Sequence, residues 1–355
     1  MGSENFIKVN KGLLPLSWLY GLGVNFRNFL FEANVLKSRT YPTLVISVGN
    51  ITVGGTGKTP HVEYLVRLLK DKTKTAVLSR GYKRKSKGFV LAKADSTTAD
   101  LGDEPYQIKR KFPDVTVAVD KKRTRGIDLL TSMPDHPEAI ILDDAFQHRY
   151  VKPDINILLV DYHRLIIDDQ LLPAGRLREP LKGKNRADIV IITKCPKELK
   201  PMEYRVLTKQ MDLFPYQQLY FTTFDYEPLQ PIFPEAGRAP QSIEGQNILL
   251  ISGIASPKQM LLDIKQMNPA SITALTYGDH HAFRKKDIRK INNAFAALPS
   301  PRLIVTTEKD AARLVNIEGL SDLVRQHFYV LPLKVMFMQD GEDMFNEKIL
   351  EKVKR

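Results

Sequence analysis

The apolar residues of this chain fall into two rhythms. Short unbroken runs occur at Thr43 to Val48, Thr75 to Leu78, Thr116 to Val119, Ala139 to Leu142, Ile155 to Val160 and Asp188 to Thr193. They lack the alternation of a half-wet strand, so they predict strands buried on both faces. Between several of them the spacing turns helical, as from Lys58 to Lys70, which predicts a parallel sheet with helices on both faces. A second, shorter series follows. Strands are expected at Asn247 to Ile251, Ile272 to Leu275 and Leu303 to Thr306, with helices near Pro257 to Met267 and Lys285 to Ala297. The proline-rich stretch Tyr226 to Pro240 separates the two series. The runs Gln218 to Phe224 and Phe328 to Leu333 flank the second series and are expected to pair as a connector. The pattern divides into an N-terminal segment 1–40, a first α/β domain 41–215, a smaller α/β domain with connector strands 216–340, and a C-terminal helix 341–355.

The N-terminal segment breaks both rhythms. Gly12 to Phe26 carries no charge, and Phe29, Leu30 and Phe31 follow closely. The stretch is shorter than the about 17 to 25 residues that span a bilayer. Pro15, Gly21 and Gly23 interrupt it, and no small-residue cleavage site follows, which argues against a secretory signal. Trp18, the only tryptophan, sits beside Tyr20, and Lys8, Lys11 and Arg27 flank them. These residues suit either an interfacial helix on anionic lipid or a helix packed on the protein's own core.

Composition narrows the partners. With 355 residues, 43% of them apolar, the chain can bury a sizeable core, and disorder is excluded. The 53 basic residues exceed the 40 acidic ones, a net charge of +13 that favours an anionic partner. Cys195 is the only cysteine, so an internal disulfide and a multi-thiolate metal site are both excluded within one chain. That usage fits a reducing compartment.

The chemistry begins after the first strand. Thr52, Val53, Gly54, Gly55, Thr56, Gly57, Lys58 and Thr59 form a glycine-rich turn that ends in Gly-Lys-Thr at a helix start. Glycines let backbone N–H groups curl around phosphate oxygens, and the helix N-terminus adds positive potential. Lys58 is placed for the β and γ phosphates and Thr59 for Mg²⁺. The strict motif asks for glycine where Thr52 stands, but the strand before it and the helix after it supply the expected context. Asp143 and Asp144 end another apolar run and offer the second carboxylate that such a site needs; alone, the pair also suits a solvated turn.

Six blocks in order carry a closer likeness. These are Gly54 to Pro60, Ser79-Arg80-Gly81-Tyr82, Gly102-Asp103-Glu104-Pro105, Asp143 to Arg149, Leu172 to Pro180 and Thr307-Glu308-Lys309-Asp310-Ala311. Together they resemble the tetraacyldisaccharide 4'-kinase (lipid A 4'-kinase) family along nearly the whole chain. The resemblance implies a P-loop fold and transfer of the γ-phosphate of ATP to the 4'-hydroxyl of a tetraacylated glucosamine disaccharide 1-phosphate, which yields the bis-phosphorylated lipid A precursor. It places this work at the cytoplasmic face of the inner membrane, makes the N-terminal segment a membrane-docking helix, and gives the net charge an anionic lipid partner. Nucleic acid and an obligate protein partner are not called for.

The same resemblance implies residue roles. Asp103 is the general base for the sugar hydroxyl, and His280, from the Asp279-His280-His281 cluster, pairs with it. A loose transition state asks little of an ordinary carboxylate base. Asp143, Asp144 and Glu179 join Thr59 around magnesium, and Arg178 lies near the phosphates. Arg80 and Arg123 sit in basic loops where a guanidinium can clamp phosphate, although the run Lys121 to Arg125 also reads as a solvated face. Gln147 and His148 suit catalysis or loop packing equally. The competing reading is a membrane-associated P-loop ATPase or GTPase. Thr193-Lys194 faintly matches a guanine-reading loop, but Cys195 and Pro196 follow where an aspartate is needed.

Overall fold

The computed structural model describes residues 9–254, 257–279 and 281–353. The chain divides into two compact units, Met1–Phe224 with Val335–Arg355, and Asp225–Lys334. The smaller unit is thus tighter than the 216–340 segment read from the sequence, and the C-terminal helix belongs to the larger unit.

The larger unit opens with α1 (Leu14–Glu32), β1 (Leu44–Gly49), α2 (Lys58–Leu69), β2 (Thr75–Ser79) and β3 (Val90–Leu91). It continues through α3 (Thr98–Leu101), α4 (Asp103–Lys111), β4 (Thr116–Val119), α5 (Arg123–Thr131) and β5 (Ala139–Asp143). β6 (Ile155–Asp161), β7 (Ile189–Thr193), α6 (Pro201–Met211) and β8 (Gln218–Tyr226) follow. In the smaller unit run β9 (Gln230–Pro231), β10 (Asn247–Ser252), α7 (Pro257–Gln266), β11 (Ser271–Thr276), α8 (Lys285–Ala296), β12 (Arg302–Thr306), α9 (Glu308–Leu314), α10 (Asp322–Arg325) and β13 (Phe328–Val330). β14 (Leu333–Phe337) and α11 (Gly341–Val353) close the chain.

The larger sheet has the order β14-β8-β7-β6-β1-β5-β2-β4-β3. From β8 to β4 every pair is parallel, the short β3 runs antiparallel to β4, and at the other edge β14 runs antiparallel to β8, as the bonds from the Glu227 N–H to the Pro332 carbonyl and from the Met338 N–H to the Phe221 carbonyl show. The continuous apolar runs explain this, because β1, β2, β5 and β7 are buried along nearly their whole length. α2 lays Val62, Leu65, Val66 and Leu69 on one face of the sheet, where they meet Ile46, Ile141 and Ile157. Phe345 and Ile349 of α11 join that cluster. Each fully buried side chain of this kind contributes roughly 1.5–3 kcal/mol.

The smaller unit has its own sheet, ordered β11-β10-β12-β13-β9, parallel except for β9. Apolar clusters cover both faces, one around Leu249, Ile251, Ile304 and Phe295, the other around Leu250, Val305 and Ile264. The connector read from the sequence is corrected here. Phe328–Val330 is buried throughout and pairs with β12, whereas the strand beside β8 is β14, Leu333–Phe337. A three-residue run that is apolar on both sides belongs inside a sheet, while the half-exposed β14 tolerates the edge.

α1 is two-sided. Ser17, Gly21 and Phe31 face inward at helical spacing. Trp18, Leu19, Leu22, Phe26 and Phe29 face outward, with Trp18 80% exposed. Among the described residues no helix is long and apolar enough to cross a membrane.

Candidate active site

β1 lies between β5 and β6, and the loop that leaves it must pass between these neighbours. Gly49 makes the exit possible, since a Cβ there would lie 2.7 Å from Phe146 Cβ. The loop is then pinned from beneath. Asn50 donates to Thr56 Oγ1 at 2.9 Å, and Thr193 donates to the Thr56 carbonyl at 2.9 Å. Lys194 bonds the Gly55 carbonyl and pairs with Asp161 at 2.6 Å. His61 carries its Nδ1 2.8 Å from the Gly57 carbonyl and its Nε2 3.1 Å from Thr222 Oγ1. Burial lowers its pKa to about 4, so the ring is neutral and donates to the carbonyl.

The upper side of the loop is open. A Cβ added to Gly54 or Gly55 would meet nothing within 4 Å, and Gly54 and Gly57 take φ values of 125° and 84°. Lys58 and Thr59 start α2 directly behind this space. Thr52 and Val53, expected to contact phosphate, are committed elsewhere. Thr52 is buried and bridged to Leu177, and the Val53 N–H donates to the Arg176 carbonyl at 2.8 Å. The Thr56 side chain is likewise turned inward to Asn50, because an ordered loop must satisfy its own polar groups before a ligand arrives.

Sheet register places the carboxylates beside the loop, with Asp143 opposite Val48. Lys58 Nζ stands 3.5 Å from Asp144 Oδ1, and Arg178 Nη1 stands 3.6 Å from Asp144 Oδ2. Ser79 donates to Asp143 Oδ2 at 2.9 Å. Oδ1 of Asp143 and of Asp144 are buried without a hydrogen-bond partner. Burial, reinforced by the charges of Glu104 and Asp144, raises Asp143 to about 7. Burial also acts to raise Asp144, but Lys58, Arg178 and Arg123 outweigh it and hold that carboxyl below its ordinary value. Two crowded carboxylates with orphaned oxygens fit a hard dication such as Mg²⁺.

Other expected site residues divide. Asp103 is the first residue of α4, at a turn set by Gly102, whose φ is 88° and whose added Cβ would lie 2.7 Å from the Tyr82 carbonyl. Arg80 is exposed at the end of β2; burial lowers the pKa of both Arg123 and His148, and the charge of Arg80 adds to that lowering. Arg123 is fully buried and donates to the carbonyls of Asp120, Asp143 and Asp144 at 3.3, 3.1 and 3.3 Å, with its Nε left without a partner. From there it holds the turn in which Asp144 takes a φ of 48°. Glu179 is buried, with Oε2 accepting from Arg186 Nη2 at 2.7 Å and Oε1 left without a hydrogen-bond partner. Gln147 serves packing, since its side chain donates to the Asn50 carbonyl.

His280 lies outside the described residues. Within the smaller unit, His281 Nε2 is 2.9 Å from Asp287 Oδ2 and its ring stacks on Tyr277. Asp279 pairs with Lys309 at 3.2 Å. Reading the sequence missed Asn50, Ser79, Thr193, Lys194 and His61. Of these, Ser79 lay in a block already singled out, and Thr193 and Lys194 were noted only as a faint match to a guanine-reading loop.

A glycine loop open above and pinned below, a lysine at the following helix start and a carboxylate pair on the adjacent strand define a P-loop nucleotide-dependent enzyme. Which one follows from comparison. The chain belongs to the LpxK family, tetraacyldisaccharide-1-P 4'-kinase, whose model matches residues 9–354. It is 55% identical to the tetraacyldisaccharide 4'-kinase of Phocaeicola vulgatus, over 99% of this chain and 97% of that one. Identity to the enzyme of the same name from Bacteroides thetaiotaomicron is 51%, over 98% and 94%. The crystal structure of "apo" form LpxK from Aquifex aeolicus in complex with ATP matches with a TM-score of 0.75 at 30% identity, covering 97% of this chain and 99% of that one.

Proposed function

We propose that the chain transfers the γ-phosphate of ATP to the 4'-hydroxyl of a tetraacylated glucosamine disaccharide 1-phosphate. The observation that carries this is the open glycine loop with Lys58, Asp144 and Arg178 gathered at its edge. Phosphoryl transfer asks for positioning and charge neutralisation, which is what this cluster offers. Backbone N–H groups of Gly54 to Gly57 and the start of α2 receive the phosphates, and Lys58 and Arg178 neutralise their charge. Asp143, Asp144 and Thr59 are the residues to hold Mg²⁺, which when bound screens the phosphate oxygens. Arg123 keeps the two aspartates in place from behind.

Asp103 takes the proton of the 4'-hydroxyl as its oxygen bonds to the γ-phosphorus and the bond to the β-γ bridging oxygen breaks. ADP leaves with that electron pair. The outward face of α1, apolar and flanked by Lys11 and Arg27, docks on the anionic cytoplasmic face of the inner membrane, where the acceptor resides.

Turnover of the lipid acceptor with Mg-ATP, compared between the unaltered chain and Asp103→Ala, tests the scheme. The variant should lose about 10²–10⁴-fold in kcat while binding Mg-ATP within about twofold of the original. Equal kcat would remove Asp103 from the reaction. Hydrolysis of ATP independent of lipid would favour the ATPase reading.

A further inference from the structure

α1 does more than present an apolar outer face, for in its first half the inward residues, Ser17 and Gly21, are small. Ser17 is buried, and its Oγ donates to the Leu171 carbonyl at 2.9 Å and accepts from the Ala174 N–H at 2.8 Å. One turn on, the Tyr20 hydroxyl donates to the Arg178 carbonyl at 2.9 Å. Gly21 lets the helix close on this segment, as a Cβ there would lie 2.8 Å from Leu171 Cδ1. A helix held only by apolar burial would turn its leucines inward; this one turns them out and keeps a hydroxyl inside.

The groups it reaches form one strap, residues 171–178, whose other edge is bonded to the phosphate loop. The Val53 N–H donates to the Arg176 carbonyl at 2.8 Å, and the Arg178 N–H donates to the Ile51 carbonyl at 2.7 Å. The strap ends in the guanidinium that faces Asp144. Farther along the same face, Arg27 Nη2 donates to the Gln147 carbonyl at 3.2 Å. The Gln147 side chain donates to the Asn50 carbonyl, and Asn50 holds Thr56. Both ends of the loop are therefore braced by one helix.

We propose that Ser17 is a positioning residue for the nucleotide, supported by Tyr20 and Arg27, so that the inner face of α1 sets the phosphate loop and Arg178. The inference rests on the reading of that loop as the Mg-ATP site. Removing the hydroxyl of Ser17 leaves the buried Ala174 N–H without its partner and takes one of two hydrogen bonds from the Leu171 carbonyl, which keeps the Gly175 N–H, and so loosens the strap.

The test uses the full chain, with calorimetric titration of Mg-ATP, steady-state kinetics in both substrates and flotation on phospholipid vesicles. Ser17→Ala should weaken Mg-ATP binding and raise the KM for ATP about 5- to 20-fold. Its KM for lipid and its flotation should be unchanged. Tyr20→Phe, at a partly exposed position that folding does not depend on, should shift ATP affinity the same way by about two- to fivefold. Unchanged ATP affinity in both variants would overturn the proposal. So would a Ser17→Ala chain whose melting temperature collapses while Tyr20→Phe binds ATP normally, since the role would then be structural. Failure of the unaltered chain to bind Mg-ATP would instead remove the nucleotide reading, and the inference with it.

Discussion

Replacing Asp143 with asparagine should make the metal-free protein more stable while destroying its response to magnesium. Asp143 is wholly buried beside Asp144 and within the field of Glu104, and burial first, then these two charges, raises its pKa from 3.8 to about 7. A folded-state value above the unfolded one means that the native state holds its proton more tightly, so stability falls as pH rises from about 4 to about 7. Above pH 7 the full cost is present, on the order of 4 kcal/mol for a rise of about three units at about 1.4 kcal/mol per unit. Asparagine carries no charge and keeps an oxygen to accept from Ser79. In metal-free buffer at pH 8, Asp143→Asn should melt roughly 8–16 °C above the original, at about 2–4 °C per kcal/mol for a unit of this size. The gap should narrow steadily towards pH 4.5. Millimolar Mg²⁺ should raise the melting temperature of the original and leave the variant where it was. A variant that melts lower at pH 8 without metal, or a gap independent of pH, would refute the idea that these carboxylates are crowded for want of a cation.

Two further outcomes follow from other parts of the larger unit. Glu63 on α2 is buried and pairs with Lys111 of α4 at 2.6 Å while accepting from Gln107 at 2.7 Å. Glu63→Ala should cost about 3–5 kcal/mol in urea unfolding, and a loss below about 1 kcal/mol would show that the pair does not lock these helices. Leu19→Ser combined with Phe26→Ser removes apolar area from the outward face of α1. Binding to anionic vesicles should weaken at least about tenfold with Mg-ATP affinity retained, and unchanged flotation would take membrane docking away from this face.

The sheet was readable because it is buried on both sides, which turns strands such as β5 and β7 into continuous apolar runs. The phosphate loop was readable because its function needs glycines in sequence. What escaped depends on distant partners. Asn50, Thr193 and Lys194 hold the loop only because β1 and β7 end on the same edge of the sheet, and no local pattern marks that. Arg123 sits in a run of charges that resembles a wet surface, yet carbonyls at Asp143 and Asp144 draw it inside. Glu179 follows Arg178 in sequence but turns away from it to Arg186, a partner on the far side of a tight turn. α1 was ambiguous for a different reason: its apolar residues are divided between a side packed on the protein and a side left bare.

The most direct measurement is the mass and phosphorus spectrum of the lipid after incubation with Mg-ATP. One added phosphate, as a second phosphomonoester on the 4' oxygen, formed by the unaltered chain and absent with Lys58→Ala, is the expected result. ADP released with the lipid unchanged, or phosphate gained at any other position, would contradict the account.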